Sequence, residues 1–181
     1  MAGRGVQSAM GKSPVTGAGM VGRMGLAGDE QADPSVHGGI DKAVYAYSAE
    51  HYAWWQAQRR ERGVSLFDEE LPTGFMGENL TVTGLAEAQV WVGDTLHFPD
   101  CVLRVTQPRE PCFKFNAVMG YAQAARDMVA SGHSGWYLAV MQAGTLQAGT
   151  LQAGQGFELR PGPRHLSVLQ ALAAKRFKHL R

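Results

Sequence analysis

The chain has 181 residues and a formal net charge of +1, from 17 Lys+Arg against 16 Asp+Glu. That length suits a single domain whose core needs no disulfide or metal staple. A balance this close to zero lacks the clustered basic surplus that phosphate neutralisation requires, so no nucleic-acid partner is expected.

No apolar run reaches the ~18–20 residues of a spanning helix, and Met1 to Gly22 lack the apolar stretch of a secretory signal. Two cysteines, Cys101 and Cys112, cannot build a disulfide scaffold. The expectation is a soluble, reduced, cytoplasmic protein without a membrane partner. Glycine is the outlier at 23 residues. Its usual share is about 7%, so this excess predicts many tight turns and short strands rather than a helix bundle.

Residues 1–11 read as a loose Gly/Ala/Ser-rich start, and residues 12–181 as one domain. Alternation predicts a strand over Lys42–Tyr47, then Ser48 as N-cap of a helix over about 49–62 that stops at Gly63. Tyr52, Trp55 and Arg59 would share one helix face packed on a sheet, with Trp54 nearby. Leu80–Thr83 is a strand by β-branching; Thr95–Phe98 and Cys101–Gln107 form a hairpin around Pro99-Asp100. A helix over 121–131 stops at Gly132, and strands follow at 135–140 and 157–159. Gln-Ala-Gly-Thr-Leu at 142–146 recurs at 147–151, a period of five that fits neither helix nor strand, and reads as a duplicated hairpin loop. Ser167 with Gln170 is a capping box that opens a final helix to about His179. Its terminal Lys175, Arg176, Lys178 and Arg181 suit the helix dipole.

Three segments could carry chemistry. In Gln107-Pro108-Arg109-Glu110-Pro111-Cys112-Phe113-Lys114, two prolines shape a loop after a strand. Arg109 and Lys114 flank Cys112, and cations favour a thiolate, the nucleophile and soft metal ligand. Taken alone, a buried free thiol reads equally well. Cys101 is in phase with Leu103 and Val105 on its strand and reads as core.

The second segment runs Gly28-Asp29-Glu30 to His37-Gly38-Gly39-Ile40-Asp41-Lys42. Its glycine pair permits close backbone approach to a ligand, and equally a tight turn. The third, Gly77-Glu78-Asn79-Leu80, presents an acceptor and an amide, or opens its strand with an Asx turn. His37 and His51 are the titratable imidazoles near these loops. No C-x-x-C or H-x-x-x-H spacing supports zinc.

Gly25-Leu26-Ala27-Gly28-Asp29-Glu30-Gln31, Val36-His37-Gly38-Gly39, Gly77-Glu78-Asn79-Leu80 with Gly93-Asp94, and Gln107-Pro108-Arg109-x-Pro111-Cys112-x-Lys114 stand in this order. Together they resemble the MOSC-domain family, in its YiiM-like branch that includes 6-hydroxyaminopurine reductase. The resemblance runs from about Lys12 to Leu159. It implies a mainly β fold with flanking helices, a closed irregular β-barrel of the MOSC and PK-barrel kind. It further implies molybdenum cofactor (molybdopterin) binding, with Cys112 as the molybdenum ligand. His37, Gly38, Gly39, Lys42, Glu78, Asn79, Arg109 and Lys114 match positions near the cofactor. Pyridoxal phosphate binding is a looser association of the family.

The implied activity is an oxidoreductase that reduces N-hydroxylated bases, with Cys112 central and His37 or His51 as proton carriers. Its partners would be a small N-hydroxylated substrate and an electron-donor protein, and a homodimer is allowed. YiiM-like members continue into a helical extension, whereas one helix fits here before Arg181. Two other readings stay open: a sulfur carrier with a Cys112 persulfide, and a non-enzymatic cofactor-binding module.

Overall fold

Gly17–Gly22 (β1) turns tightly into Gly25–Leu26 (β2) as an antiparallel pair. The computed structural model describes residues 12–14, 17–29, 38–65, 69–148 and 155–176. Val44–Ser48 (β3) follows a 3-10 turn at Ile40–Lys42, and all five of its residues are buried. A strand apolar or aromatic on both faces is stable only inside a sheet covered on both sides. That is its place, between Leu80–Val82 (β4), which runs parallel to it, and Trp136–Gln142, which runs antiparallel. Tyr52–Glu61 (α1) connects β3 towards β4. Thr95–His97 (β5) and Val102–Pro108 (β6) form the hairpin read from the sequence.

Phe113–Met119 (α2) and Ala124–Ser131 (α3) then lead into Trp136–Gln142 (β7) and Gly144–Ala148 (β8). Glu158–Arg160 (β9) pairs with β5, and Val168–Arg176 (α4) closes the described chain. The larger sheet has the order β4-β3-β7-β6-β5-β9, and the smaller β2-β1-β8. No helix among the described residues is long and apolar enough to cross a membrane.

The period of two along β3 and β7 divides two cores. Val44, Ala46, Trp136, Leu138 and Val140 join Leu103 and Val105 of β6 on one face. Tyr45, Tyr47 and Tyr137 point to the other, where α1, α2 and α3 cover them with Trp55, Phe115, Met119 and Met128. Each such side chain contributes about 1.5–3 kcal/mol by leaving water. The helix-covered face is aromatic and carries phenol groups, which must find partners when buried. That requirement builds the site described below.

The expected closed barrel is not found. The large sheet is a half-barrel with three-residue edge strands, β4 and β9. The strand that could extend it leaves: β8 follows β7 through Ala143 but pairs with β1 over Gly17–Val21. At Gly144 the backbone passes so close to the Asp100 carbonyl that a Cβ would overlap it. The duplicated segment is therefore partly strand, because pairing with β1 overrides its loop-like composition; residues 149–154 lie outside the described residues, as do 1–11.

Ser48 does not cap a helix by its side chain. A 3-10 turn at Ala49–His51 intervenes, and the Ser48 hydroxyl donates to Glu50. The capping box holds: Gln170 N–H donates to Ser167 Oγ at 3.1 Å, and Ser167 N–H to Gln170 Oε1 at 2.9 Å. The helix end near His179 lies outside the described residues. The segment read as a shaped loop around Cys112 runs into α2, which begins at Phe113 and, at seven residues, is too short to show a period.

Candidate functional site

β6 ends at Pro108, and the next residue turns inward. Arg109 is 6% exposed, an unusual place for a guanidinium. Its Nη1 donates to the Met76 carbonyl at 2.9 Å and to the Tyr45 hydroxyl at 3.2 Å. The guanidinium also stands 4.8 Å from the centroid of Tyr45 and 5.2 Å from that of Phe115. Its backbone N–H donates to Gly135 O at 3.2 Å. Burial alone would lower its pKa, but the Tyr45 and Tyr137 phenols beside it raise it above the ordinary value. A cation is thus fixed within the protein beside Cys112, which is half-buried in the N-cap position of α2.

Two phenols complete this centre. Tyr45 donates to Ser134 O at 2.8 Å, and burial drives its pKa well up against the pull of Arg109. Tyr137 lies 5.5 Å from Tyr45 between ring centroids, and Lys42 Nζ stands 5.8 Å from the Tyr137 ring. Burial also raises Tyr137, Arg109 opposes it, and the neighbouring Cys112 adds to the rise. Both phenols keep their protons at neutral pH.

Glu78 and Asn79 lie against Tyr45. Asn79 N–H donates to Tyr45 O at 2.8 Å, and Asn79 Oδ1 accepts from Tyr45 N–H at 2.8 Å. Asn79 Nδ2 reaches Asp29 Oδ2 at 2.8 Å, and Asp29 pairs with Lys12 at 3.0 Å. The Asx-turn reading gives way to a clamp across strands. Glu78 is buried; its Oε1 accepts from Gly74 N–H at 2.9 Å, Thr81 Oγ1 at 2.8 Å and the Tyr52 hydroxyl. Its Oε2 is buried with no hydrogen-bond partner among the described residues.

The structure thus gathers Lys42, Arg109 and Cys112, with Glu78 and Asn79 behind Tyr45. Lys114 is half-buried in α2. Gly39 has φ +92, and a Cβ there would meet nothing within 4 Å among the described residues; Gly38 is described beside it, whereas His37 lies outside the described residues. His51 belongs elsewhere. Its Nε2 is 2.7 Å from Glu87 Oε2, and its ring stacks on His133 at 3.8 Å. Cys101 is 1% exposed, and burial with Asp100 nearby pushes its thiol up to about 11. Lys175 of the basic tail pairs with Glu110, tying α4 to the Cys112 segment.

Sequence reasoning missed Tyr45, Tyr137, Glu87 and His133. Tyr45 and Tyr47, two apart in a strand without polar alternation, were the available signal; Glu87 and His133 offered none.

A description of the MOSC domain matches residues 33–151. Protein YiiM of Escherichia coli is 37% identical over 140 residues, 77% of this chain and 60% of that protein. A protein of Gibberella moniliformis named Reductase is 36% identical over 123 residues, 67% of this chain and 21% of that protein. The crystal structure of YiiM from Escherichia coli superposes with a TM-score of 0.73 at 31% identity, covering 90% of this chain and 72% of that one. The chain spans about three fifths of the length of the curated bacterial relatives it matches. With the domain matched across most of the chain and the fold shared, this is a member of the MOSC-domain family, in its YiiM-like branch.

Proposed function

We propose that this chain holds a molybdenum cofactor through Cys112 and reduces N-hydroxylated bases or related N-oxygenated compounds. The observation that carries the reading is the juxtaposition of the half-buried Cys112 thiol with the buried, phenol-bonded Arg109. The donor set fits such a group. A single soft sulfur suits molybdenum that brings its own dithiolene ligands. Among the described residues, no cluster of three His, Cys, Asp or Glu is arranged to hold a bare ion instead.

Lys42 and Lys114 are cations suited to the cofactor phosphate, and the open backbone at Gly39 allows close approach of a flat ring. When bound, the molybdenum centre supplies the two electrons that, with two protons, turn an N-hydroxyl into an amine and water. The chain's own share is to orient the substrate and hold protons. Tyr137, protonated at neutral pH and adjacent to Cys112 and Arg109, is better placed for that than His51, whose Nε2 is committed to Glu87. A reductase among the relatives supports oxidoreductase chemistry. The electron donor is a separate protein.

The test is reduction of N-hydroxylated adenine by protein from a cofactor-competent host, with a reduced dye as donor. Turnover that disappears in Cys112→Ser supports the proposal. Wild-type protein that is loaded with molybdenum but converts none of several N-hydroxylated bases would leave only the cofactor-binding module.

A further inference from the structure

Glu87 lies in the segment between β4 and β5 and is 3% exposed. A carboxylate buried this far costs several kcal/mol of hydration unless both oxygens are engaged. Here both are. Oε1 accepts from Gly135 N–H at 2.7 Å, and Oε2 takes His51 Nε2 at 2.7 Å.

The Gly135 contact reaches the Cys112 centre. Gly135 sits in the turn between α3 and β7, and its three successive carbonyls all accept hydrogen bonds from site-facing elements. His133 O takes the Tyr47 hydroxyl at 3.2 Å, Ser134 O takes the Tyr45 hydroxyl at 2.8 Å, and Gly135 O takes Arg109 N–H at 3.2 Å. The turn is tight against β3: Gly135 has φ +66, and a Cβ there would overlap the Ala46 carbonyl and crowd both tyrosine rings.

We infer that Glu87 is a positioning residue for the Cys112 centre. By holding the 133–135 turn through Gly135 N–H, it sets the carbonyls that orient Tyr45 and Arg109. This rests on the reading of Arg109 and Tyr45 as parts of the functional site.

His51 extends the linkage. It stands at the last residue of the 3-10 turn before α1, its ring stacked on His133 and edge-on to Tyr47. Trp54 of α1 meets His133 edge-on at 4.9 Å. Glu87 therefore links the start of α1 to the residue after β6 through three hydrogen bonds and one turn. The charged and titratable groups around His51 are Glu87, Glu50, His133 and Tyr47.

Amide hydrogen exchange on the chain purified without cofactor tests this, comparing wild type, Glu87→Ala and Glu87→Gln. Glutamine keeps an oxygen for Gly135 N–H; alanine does not. The Gly135 and Arg109 amides are expected to exchange about tenfold faster or more in Glu87→Ala, with the β5–β6 hairpin within about twofold of wild type. Glu87→Gln is expected to restore both amides to within about threefold.

An Arg109 amide unchanged in Glu87→Ala, or a glutamine variant as fast as alanine, overturns the inference. If Glu87→Ala does not fold, Glu87→Asp decides. Shorter by one methylene, it keeps the charge but withdraws the oxygen from Gly135 N–H, and is expected to accelerate the same two amides; unaltered exchange there overturns the inference equally. The measurement needs no molybdenum, so a wild type that retains none would contradict the proposed function and leave this result standing.

Discussion

Arg109 uses Tyr45 twice: Nη1 donates to the phenol oxygen at 3.2 Å, and the guanidinium stands 4.8 Å from the centroid of the same ring. A planar fork can meet the edge and face of neighbouring groups together, which a lysine ammonium cannot. Arg109→Lys is therefore not conservative. It is expected to cost about 1–3 kcal/mol in urea unfolding, from one lost charge-assisted hydrogen bond and a weakened cation–π contact. Retention of wild-type stability would show that the buried geometry around Arg109 contributes little.

The two thiols should separate chemically. Burial holds Cys101 up to about 11, whereas Cys112 is half-exposed. Iodoacetamide at pH 7.5 is expected to modify Cys112 at least about tenfold faster than Cys101 in the folded protein. Cys101→Ser places a hydroxyl in the core and is expected to cost about 1–3 kcal/mol, while Cys112→Ser leaves unfolding within about 0.5 kcal/mol. Equal stability losses in both variants would contradict this assignment.

Stability should fall with acid through His133. Burial, followed by the neighbouring His51, lowers its pKa from 6.5 to about 4, against a smaller opposing pull from Glu87. Between those values the unfolded chain binds the proton and the folded chain does not. Stability from this group is therefore complete above about pH 6.5 and is lost as pH falls towards 4. The imidazole is only half-buried, so the loss is expected at about 1–2 kcal/mol after allowing for solvent screening. Urea midpoints at pH 7 and pH 4.5 check this. His133→Phe, which keeps the ring stack, should flatten the difference.

Asp94, from the Gly93-Asp94 motif, is completely buried. Arg164 Nη1 reaches its two oxygens at 3.0 and 2.9 Å, and the N–H groups of Gly162 and Trp91 donate at 2.8 and 3.0 Å. It fastens the chain after β9 to the turn before β5. Asp94→Ala leaves these donors without their acceptor and is expected to cost about 2–4 kcal/mol, with no change in Cys112 alkylation rate. Faster alkylation in that variant would mean that the two regions are coupled.

Much of the local structure was legible because it is local. Alternation placed β6 and β7, the turn at Pro99-Asp100 placed the hairpin, and Ser167 with Gln170 announced α4. The difference between Cys101 and Cys112 followed from strand phase and prolines. What escaped depends on pairing across the chain. Tyr45 and Tyr137 come from two strands and Arg109 from the residue that follows a third, and no spacing encodes the order of those strands. Glu87, His51 and His133 come from three connections, and only folding brings them together. The open edge between β4 and β9 escaped as well, since β8 could be assigned to the small sheet only once its pairing with β1 was seen.

The proposed role of Cys112 as the anchor of a molybdenum cofactor is open to direct measurement. Molybdenum and pterin should be quantified in protein expressed in a cofactor-competent host, wild type beside Cys112→Ser. About one molybdenum and one pterin per wild-type chain, and less than about a tenth of each in the variant at unchanged stability, are expected. Wild-type protein with neither molybdenum nor pterin would overturn that role, and a persulfide on Cys112 in such protein would favour a sulfur carrier instead.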